Sequence, residues 1–220
     1  MYCQLTTIGE HKRRRLMRLF EDDKRLKRCL YKTASKYRMP SPGGYLYRKI
    51  IDYKGDRHSD KFIELVYITL TAWNMNTRKA KLAKYEVFAK SLKSPKTKKL
   101  ISGLYKERLR LLASNENIAQ KLRKLFFSLK LVRTGNPPLV TFSKTLHFFL
   151  PHLIVPIDRQ YTLKYFKKYV PVSKQDQFDL FLALEQEFSL VTKKVNLRKH
   201  LDNKLNLTIP KVCDNAIMGH

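Results

Sequence analysis

The chain has 220 residues, of which 46 are Lys or Arg and 18 are Asp or Glu, so its formal net charge is +28. Hydrophobic residues make up 43% of the chain, which is ample for a packed core and excludes a disordered basic tail. Such an excess of cationic side chains is typical of proteins that bind nucleic acid. We therefore expect a nucleic acid as the partner, DNA rather than RNA, with an anionic membrane surface as the main competitor.

Other features of the sequence argue against several classes of protein. Cys3, Cys29 and Cys213 form no CxxC pair, so neither a disulfide framework nor a zinc knuckle is indicated. The N-terminal residues lack the apolar core of a signal peptide, and no apolar run approaches the roughly 20 residues of a membrane-spanning helix. The six His residues follow no ligand spacing, and we expect no metal or cofactor. The expected location is the cytoplasm, with association to the nucleoid, or the nucleus in a eukaryote.

Helical periodicity begins near the N-terminus. Apolar residues recur at helical spacing over Glu10–Tyr37, which predicts one amphipathic helix or two. Two Pro and two Gly in Met39–Gly44 predict a loop, and a short helix follows at Tyr45–Tyr53. Ser59-Asp60 is predicted to cap the apolar stretch Lys61–Met75, which we interpret as the central buried helix rather than as a strand.

The second half of the chain also has the pattern of helices separated by loops. Helices are predicted at Tyr85–Leu92, Pro95–Ala113 and Asn117–Val132, followed by a loop at Arg133–Pro138. A helix at Thr141–Leu150 and an extended connection at His152–Ile157 lead to a helix over Arg159–Val170 that Asp158 caps. An amphipathic helix runs from Ser173 through Lys194, and shorter pieces follow at Leu197–Leu205 and from Pro210. The predicted fold is an all-α multi-helix globular bundle. It forms a single domain over residues 1–220, with division into a basic N-terminal helical segment (1–40) and a helical core (45–220) as the alternative.

Two regions hold much of the positive charge. Lys12–Lys36 has eleven basic and three acidic residues, and Arg78–Arg133 has seventeen basic and three acidic residues. A charged run on a helix is often only a solvated face, but neutralisation by phosphates would offset the self-repulsion of so large a net charge. The candidate nucleic-acid contacts are Lys12, Arg13, Arg14, Arg15, Arg78, Lys79, Lys96, Lys98, Lys99, Arg133 and Arg159.

A family resemblance covers roughly residues 60–170. Pro138–Thr162, PLVTFSKTLHFFLPHLIVPIDRQYT, resembles the motif of the helix-hairpin-helix DNA glycosylase superfamily, in which a hairpin LPGxGxKTA precedes a helix and a later aspartate caps the next one. Lys144 and Asp158 occupy the matching positions. Upstream, FIELVYITLTAWNMNTRKAKLAKY resembles the early helix of that family, which ends at a DNA-facing loop. The chain departs from the motif because Val140 and Phe142 replace the two hairpin glycines. The interval from Lys144 to Asp158 is also shorter than the corresponding interval in the family.

The resemblance implies a helix-hairpin-helix glycosylase-like core and roles for particular side chains. Asp158 would stabilise positive charge on the deoxyribose as a base leaves, and Lys144 would be the amine that forms a Schiff base. Trp73 and Met75 would be the candidates for the base pocket or for a wedge beside a flipped nucleotide. The residues also have structural interpretations, since Asp158 is well placed as a helix N-cap and Trp73 ends a strongly apolar segment.

Several functions therefore stay open at the level of sequence. The leading hypothesis is a protein that binds duplex DNA backbone through basic helical faces. The alternatives are a base-excision glycosylase that uses Asp158, with or without lyase activity, and a factor that binds structured RNA. The acidic group Asp52, Asp56, Asp60 and Glu64 is a minor candidate for a metal-dependent nuclease site.

Overall fold

The structure, a computed structural model, describes residues 8–36, 41–76 and 81–220 of the chain. Helices form the regular structure of these residues. The helices are α1 (Glu10–Glu21), α2 (Asp23–Lys36), α3 (Pro42–Ile51), α4 (Asp60–Ala72), α5 (Tyr85–Lys93), α6 (Pro95–Ser102), α7 (Leu109–Leu112), α8 (Glu116–Ser128), α9 (Leu139–Phe149), α10 (Lys174–Lys194) and α11 (Ile209–Gly219). A π-helical turn covers Arg159–Leu163, and a 3-10 turn covers Leu197–His200. Within the described residues, β pairing is limited to one bridge between Leu82 and Val132. The all-α prediction is confirmed.

Polar caps set most of the helix starts. The Ser59 hydroxyl accepts a hydrogen bond from the Phe62 N–H, and the hydroxyl of Ser173 does the same at the start of α10. Asn115 caps α8 in the same way, and Pro95 occupies the first position of α6. These starts agree with the predicted ones because a side-chain oxygen replaces the missing acceptor of a first-turn N–H.

Several predicted boundaries are wrong, among them the end of the helix expected over Asn117–Val132, which stops at Ser128. The segment Met39–Gly44 was expected to be a loop, yet α3 already begins at Pro42 with Ser41 as its cap, since a proline fits the first helical turn. The predicted helix Pro95–Ala113 stops at Ser102. Leu104 and Leu109 are both buried, whereas on one straight helix they would point about 140° apart.

Two further errors lie in the last third of the chain. The helix expected over Arg159–Val170 is a π-helical turn that runs into one helical turn. It ends at Lys167, which adopts a left-handed backbone with φ of 50°. Leu197–Leu205 forms only the 3-10 turn, after which Asp202 accepts backbone hydrogen bonds from the chain that follows it.

The central helix is α9 and not α4. Every residue of α9 is buried, whereas α4 leaves Ile68 exposed. The helix α9 packs against α4 and against α10. As a result its polar side chains, Lys144 and His147 among them, lie inside the protein and need partners there.

The N-terminal helices pack against the C-terminal ones. Helix α1 packs against α2 and α10, and α2 packs against α11. The Thr33 hydroxyl donates a hydrogen bond to the carbonyl of Asn215 at 2.7 Å. At Gly219 the two backbones are so close that an added Cβ would overlap the carbonyl oxygen of Cys29. None of the described helices has the length and the apolar character needed to cross a membrane.

The close contact at Gly219 gives a stability prediction. Gly219→Ala should lower the free energy of unfolding by about 1–3 kcal/mol, because α11 must move away from α2 to make room for the methyl group. The matched change Gly9→Ala, at a position where an added Cβ meets no atom within 4 Å, should cost less than about 1 kcal/mol. Chemical denaturation of the three proteins measures both values. Equal losses would mean that the α2–α11 contact is not tight.

Candidate functional site

The segment Ile154–Asp158 is extended and buried. A buried backbone outside a helix or sheet must find hydrogen-bond partners among side chains. Glu185 accepts the Val155 N–H at 3.1 Å, and Ser143 accepts the Ile157 N–H at 3.0 Å. Thr162 accepts the Asp158 N–H at 3.2 Å. Nδ1 of His147 lies 2.7 Å from the Ile154 oxygen. These bonds hold the backbone of Asp158 against α9 and α10.

Asp158 forms a buried ion pair with Lys144. The Lys144 ammonium donates to Asp158 Oδ2 at 2.8 Å, and Asp158 Oδ1 accepts the Gln160 N–H at 2.8 Å. The two residues are 6% and 8% exposed. The predicted N-cap is therefore present, and the same carboxylate also holds the one lysine that the family resemblance pointed to.

A pocket of about 530 Å³ opens beside this pair. Trp73 lies in its wall and contacts Phe148, with 5.1 Å between the ring centroids. The indole N–H donates to the Gly43 carbonyl at 3.4 Å, and an added Cβ at Gly43 would come 2.9 Å from the ring. Glycine at the start of α3 is thus required for the position of Trp73.

The end of α4 fixes the backbone of Trp73 as well. Asn74 adopts a left-handed conformation with φ of 60°. Its N–H donates to the Thr71 carbonyl, and the Met75 N–H donates to the Leu70 carbonyl. This pair of bonds is the Schellman arrangement that closes a helix C-terminus, in which asparagine is the usual substitute for glycine.

A second buried ion pair lines the same pocket, and sequence analysis did not find it. Lys211 donates to Asp214 Oδ2 at 2.5 Å on α11, and both residues are buried. The Lys211 ammonium lies 5.5 Å from the ring centroids of Trp73 and Tyr47, and that of Lys144 lies 5.6 Å from Trp73. The signal in the sequence was a Lys-x-x-Asp spacing on one helix face, which is too common to mark a site.

Burial dominates the electrostatics of the second pair. It raises the pKa of Asp214 above its usual value, although the positive charges of Lys211 and Lys144 oppose that rise. The charge of Asp158 raises the pKa of Asp214 further. The two pairs are therefore close enough to act on each other, and a ligand in the pocket would meet both of them.

An open groove of about 1520 Å³ lies next to this region. Its described lining residues include eight cationic side chains and no carboxylate, and the cations are Lys84, Lys130, Arg133, Arg159, Lys164, Lys167, Lys168 and Lys174. Arg159 lines the groove, whereas its neighbours Asp158 and Gln160 line the pocket. One chain segment therefore separates the two cavities. Tyr169, which is 89% exposed, lies on the groove.

The basic helix α1 carries four of the predicted contacts, and none of its residues is among the described residues that line the groove. Burial lowers the pKa of Lys12, and the charges of Lys167 and Arg15 lower it further. Arg13 makes a bidentate contact to Glu187, with the closest N···O distance 2.6 Å, and Arg14 pairs with Glu10. The structure therefore places none of the four predicted contacts on α1 in the groove, although the charge of Lys12 interacts with that of Lys167, which lines it.

The remaining predicted residues are distributed as follows. Lys96, Lys98 and Lys99 lie on α6 and are not among the described residues that line the groove or the pocket. Arg78 and Lys79 lie outside the described residues. Met75 is 2% exposed in the core, so it is not available as a wedge, because the Schellman turn directs the chain back inward after Asn74. Among the described residues no three His, Cys, Asp or Glu side chains are arranged as metal ligands, and Asp60 of the predicted acidic group pairs with Lys93.

His147 connects the pocket wall to the extended segment. The Tyr47 hydroxyl lies 3.0 Å from His147 Nε2, and Nδ1 of the same ring faces the Ile154 carbonyl, which can only accept. The network therefore assigns the proton to Nδ1 and makes Tyr47 the donor to Nε2. Burial lowers the pKa of His147 to about 3, so the ring is neutral in the folded protein at physiological pH.

This shift predicts a loss of stability in acid. The unfolded chain binds a proton on His147 near its ordinary pKa of about 6.5, whereas the folded protein does not, so the free energy of unfolding falls as the pH decreases from there toward 3. Between about pH 7.5 and about pH 5 the protein should lose about 2 kcal/mol more than His147→Gln, which does not titrate. Denaturation curves at the two pH values measure this difference.

The comparison with the variant isolates the histidine. Burial raises the pKa of Glu185 well above its ordinary value, which has the opposite effect on stability in acid, but Glu185 is present in both proteins. Parallel pH profiles for the two proteins would show that His147 is protonated in the folded state.

Searches of protein-family models, of curated proteins and of solved structures found no match to this chain.

Proposed function

We propose that the protein binds nucleic acid, with duplex DNA as the preferred form, and that the basic groove is the contact surface. The observation that carries the proposal is the set of eight cationic side chains without a carboxylate among the described residues of the groove. A uniform positive charge in a concave surface attracts a polyanion and gains free energy from the release of its counterions.

The charge of the whole chain supports this proposal. A net charge of +28 destabilises a folded protein by self-repulsion. Phosphate groups placed in the groove would reduce that repulsion. Hydrogen bonds to phosphate position a protein without reading sequence, so we expect binding with little dependence on base sequence.

The groove gives a specific prediction for the dependence of binding on salt. Replacing Arg133, Arg159 and Lys164 together by Ala should lower the slope of log K against log salt by about 2–3, because each lost phosphate contact removes about 0.9 from the slope on duplex DNA. The control replaces Lys96, Lys98 and Lys99 by Ala and removes the same charge from α6. Fluorescence anisotropy with labelled duplex DNA at several salt concentrations provides the slopes.

The outcomes separate the possible binding surfaces. Equal slope changes in the two variants would indicate that α6 contributes as much as the groove, and an unchanged slope in the groove variant would exclude the groove. Tighter binding of structured RNA than of duplex DNA at equal salt would favour an RNA-binding factor instead. A wild-type protein that binds none of these nucleic acids would contradict the proposal.

A second candidate function is base excision from DNA, and the pocket beside Asp158 favours it. A base-excision enzyme needs a cavity for an extruded nucleotide and a carboxylate next to the sugar. In such a reaction the bond between the base and the deoxyribose breaks, the bonding electrons leave with the base, and the Asp158 carboxylate stabilises the positive charge left on the sugar. Water then adds to the sugar carbon, and its proton is passed to the departing base.

Lys144 has a different role in this scheme. Its ammonium donates to Asp158 at 2.8 Å, and a protonated amine has no lone pair with which to attack a sugar carbon. In the geometry described, Lys144 orients Asp158 and offsets its charge. Schiff-base chemistry would require the pair to separate and the lysine to lose its proton, so we propose hydrolysis of the base without strand cleavage as the primary activity.

Substitution of Asp158 tests this second candidate. Asp158→Asn keeps an oxygen acceptor for the Gln160 N–H but removes the negative charge, so base release should fall by at least about 100-fold. The control is Asp179→Asn, which alters a more exposed carboxylate of α10. The assay incubates labelled duplexes carrying damaged or mismatched bases, followed by alkaline cleavage at abasic sites, and thermal melting verifies folding.

Either result is informative. If wild type releases no base from any duplex and Asp158→Asn only melts at a lower temperature, then the ion pair and the N-cap are structural. Base release that survives in Asp158→Asn would assign the chemistry to another residue.

A further inference from the structure

The Lys211–Asp214 pair is not used by the reaction outlined above. Lys211 and Asp214 are 9% and 4% exposed, yet both line the pocket. Burial of an ion pair removes both charges from water, a penalty that their mutual attraction often only balances, and a well-packed hydrophobic pair is often at least as stable. A second pair in this position therefore calls for a role in the pocket itself.

The pair presents two kinds of hydrogen-bonding group side by side. The Lys211 ammonium has three N–H groups, one of which donates to Asp214 Oδ2. The remaining N–H groups are donors, and Asp214 is an acceptor when ionised. The matching edge of a ligand carries an acceptor next to a donor.

The aromatic wall restricts the shape of the ligand. The Lys211 ammonium lies 5.5 Å from the centroids of both Trp73 and Tyr47, so a group that bonds to the pair lies close to the indole. A flat ring is the shape that stacks on an aromatic side chain. The volume of about 530 Å³ accommodates a ring system of the size of a purine.

We infer that Lys211 and Asp214 form the specificity-determining edge of the pocket, and that they recognise a planar heterocycle with a ring N–H next to a carbonyl, the lactam edge of guanine or uracil. The carbonyl accepts from Lys211, the ring N–H donates to Asp214, and the ring stacks on Trp73. This inference rests on the proposed function in one respect, that the pocket receives a nucleobase. It does not depend on the groove or on catalysis by Asp158.

The chemistry favours a lactam over the edges of adenine and cytosine. Adenine and cytosine pair an exocyclic amine with a ring nitrogen, whereas a lactam pairs a carbonyl oxygen with a ring N–H that is more acidic than an amine. Hydrogen bonds gain strength when donor or acceptor is charged, and here both would be: the ammonium bonds to the carbonyl and the carboxylate to the acidic N–H.

The experiment uses the only Trp in the chain. Because Trp73 is the one Trp of the sequence, its fluorescence reports on this pocket without background from another indole. The full-length protein is titrated with guanosine and uridine, and in parallel with 1-methylguanosine and 3-methyluridine, whose ring N–H is blocked. Free N-acetyltryptophanamide corrects for collisional quenching, and adenosine and cytidine test the preference for a lactam.

Three variants locate the recognition. Asp214→Asn weakens the acceptor, and the double change Lys211→Met with Asp214→Asn removes both charges, so that no buried charge is left unpaired. Lys27→Met is the control, since it disrupts the exposed Lys27–Asp23 pair on α2. We expect guanosine or uridine to bind, the methylated partner to bind at least about tenfold more weakly, and both pocket variants to lose at least about tenfold in affinity, while Lys27→Met matches wild type.

The remaining outcomes would overturn the inference. The inference fails if the wild-type protein binds neither guanosine nor uridine, or if the methylated nucleosides bind as tightly as the unmodified ones. It also fails if adenosine or cytidine binds more tightly than guanosine and uridine, or if the folded double variant keeps the affinity of wild type for the nucleoside. Nucleosides carry no phosphate, so such a failure leaves binding of DNA by the groove intact. Conversely, a protein that binds nucleosides but not DNA would support the pocket and refute the groove.

Discussion

The burial of charge around α9 is the constraint on which the rest of the site depends. Lys144 and Asp158 are almost removed from water, and a buried ion is tolerated only when its partner and its further hydrogen bonds are held in good geometry. The extended segment before Asp158 meets that demand because side chains of α9, of α10 and of the π-helical turn bind its backbone. Removing one member of this network would leave an unpaired charge or an unbonded amide in the protein interior.

The position of Trp73 in the aromatic wall of the pocket depends on two features of the neighbouring backbone. Trp73 reaches the pocket because a left-handed asparagine ends α4 and because Gly43 leaves room for the indole. The ammonium groups of Lys144 and Lys211 both lie close to the indole ring. Attraction between a cation and an aromatic face is strongest for tryptophan and increases when water is excluded, so the ring also stabilises the charges that it adjoins.

The groove and the pocket differ in how they use charge. No carboxylate is among the described residues that line the groove, which suits a long-range attraction that salt weakens. In the pocket each ammonium has its own carboxylate, so selectivity there would come from the position of donors and acceptors. The segment around Arg159 lies between the two, which would let a backbone held in the groove present one nucleotide to the pocket.

The sequence by itself determined the all-helical fold, most helix starts and the cap at Asp158, because periodicity and capping act over a few residues. A family resemblance also pointed to Lys144 and Asp158, but it did not indicate that the two form a buried ion pair. Only the tertiary structure decided that α9 rather than α4 is central, that Met75 is buried, and that Lys211–Asp214 joins the pocket. It likewise concentrated positive charge in one groove, to which Arg133 and Arg159 belong and Lys96 does not. Those outcomes depend on which helices pack together, and contacts between residues 60 to 140 positions apart leave no local pattern in the sequence.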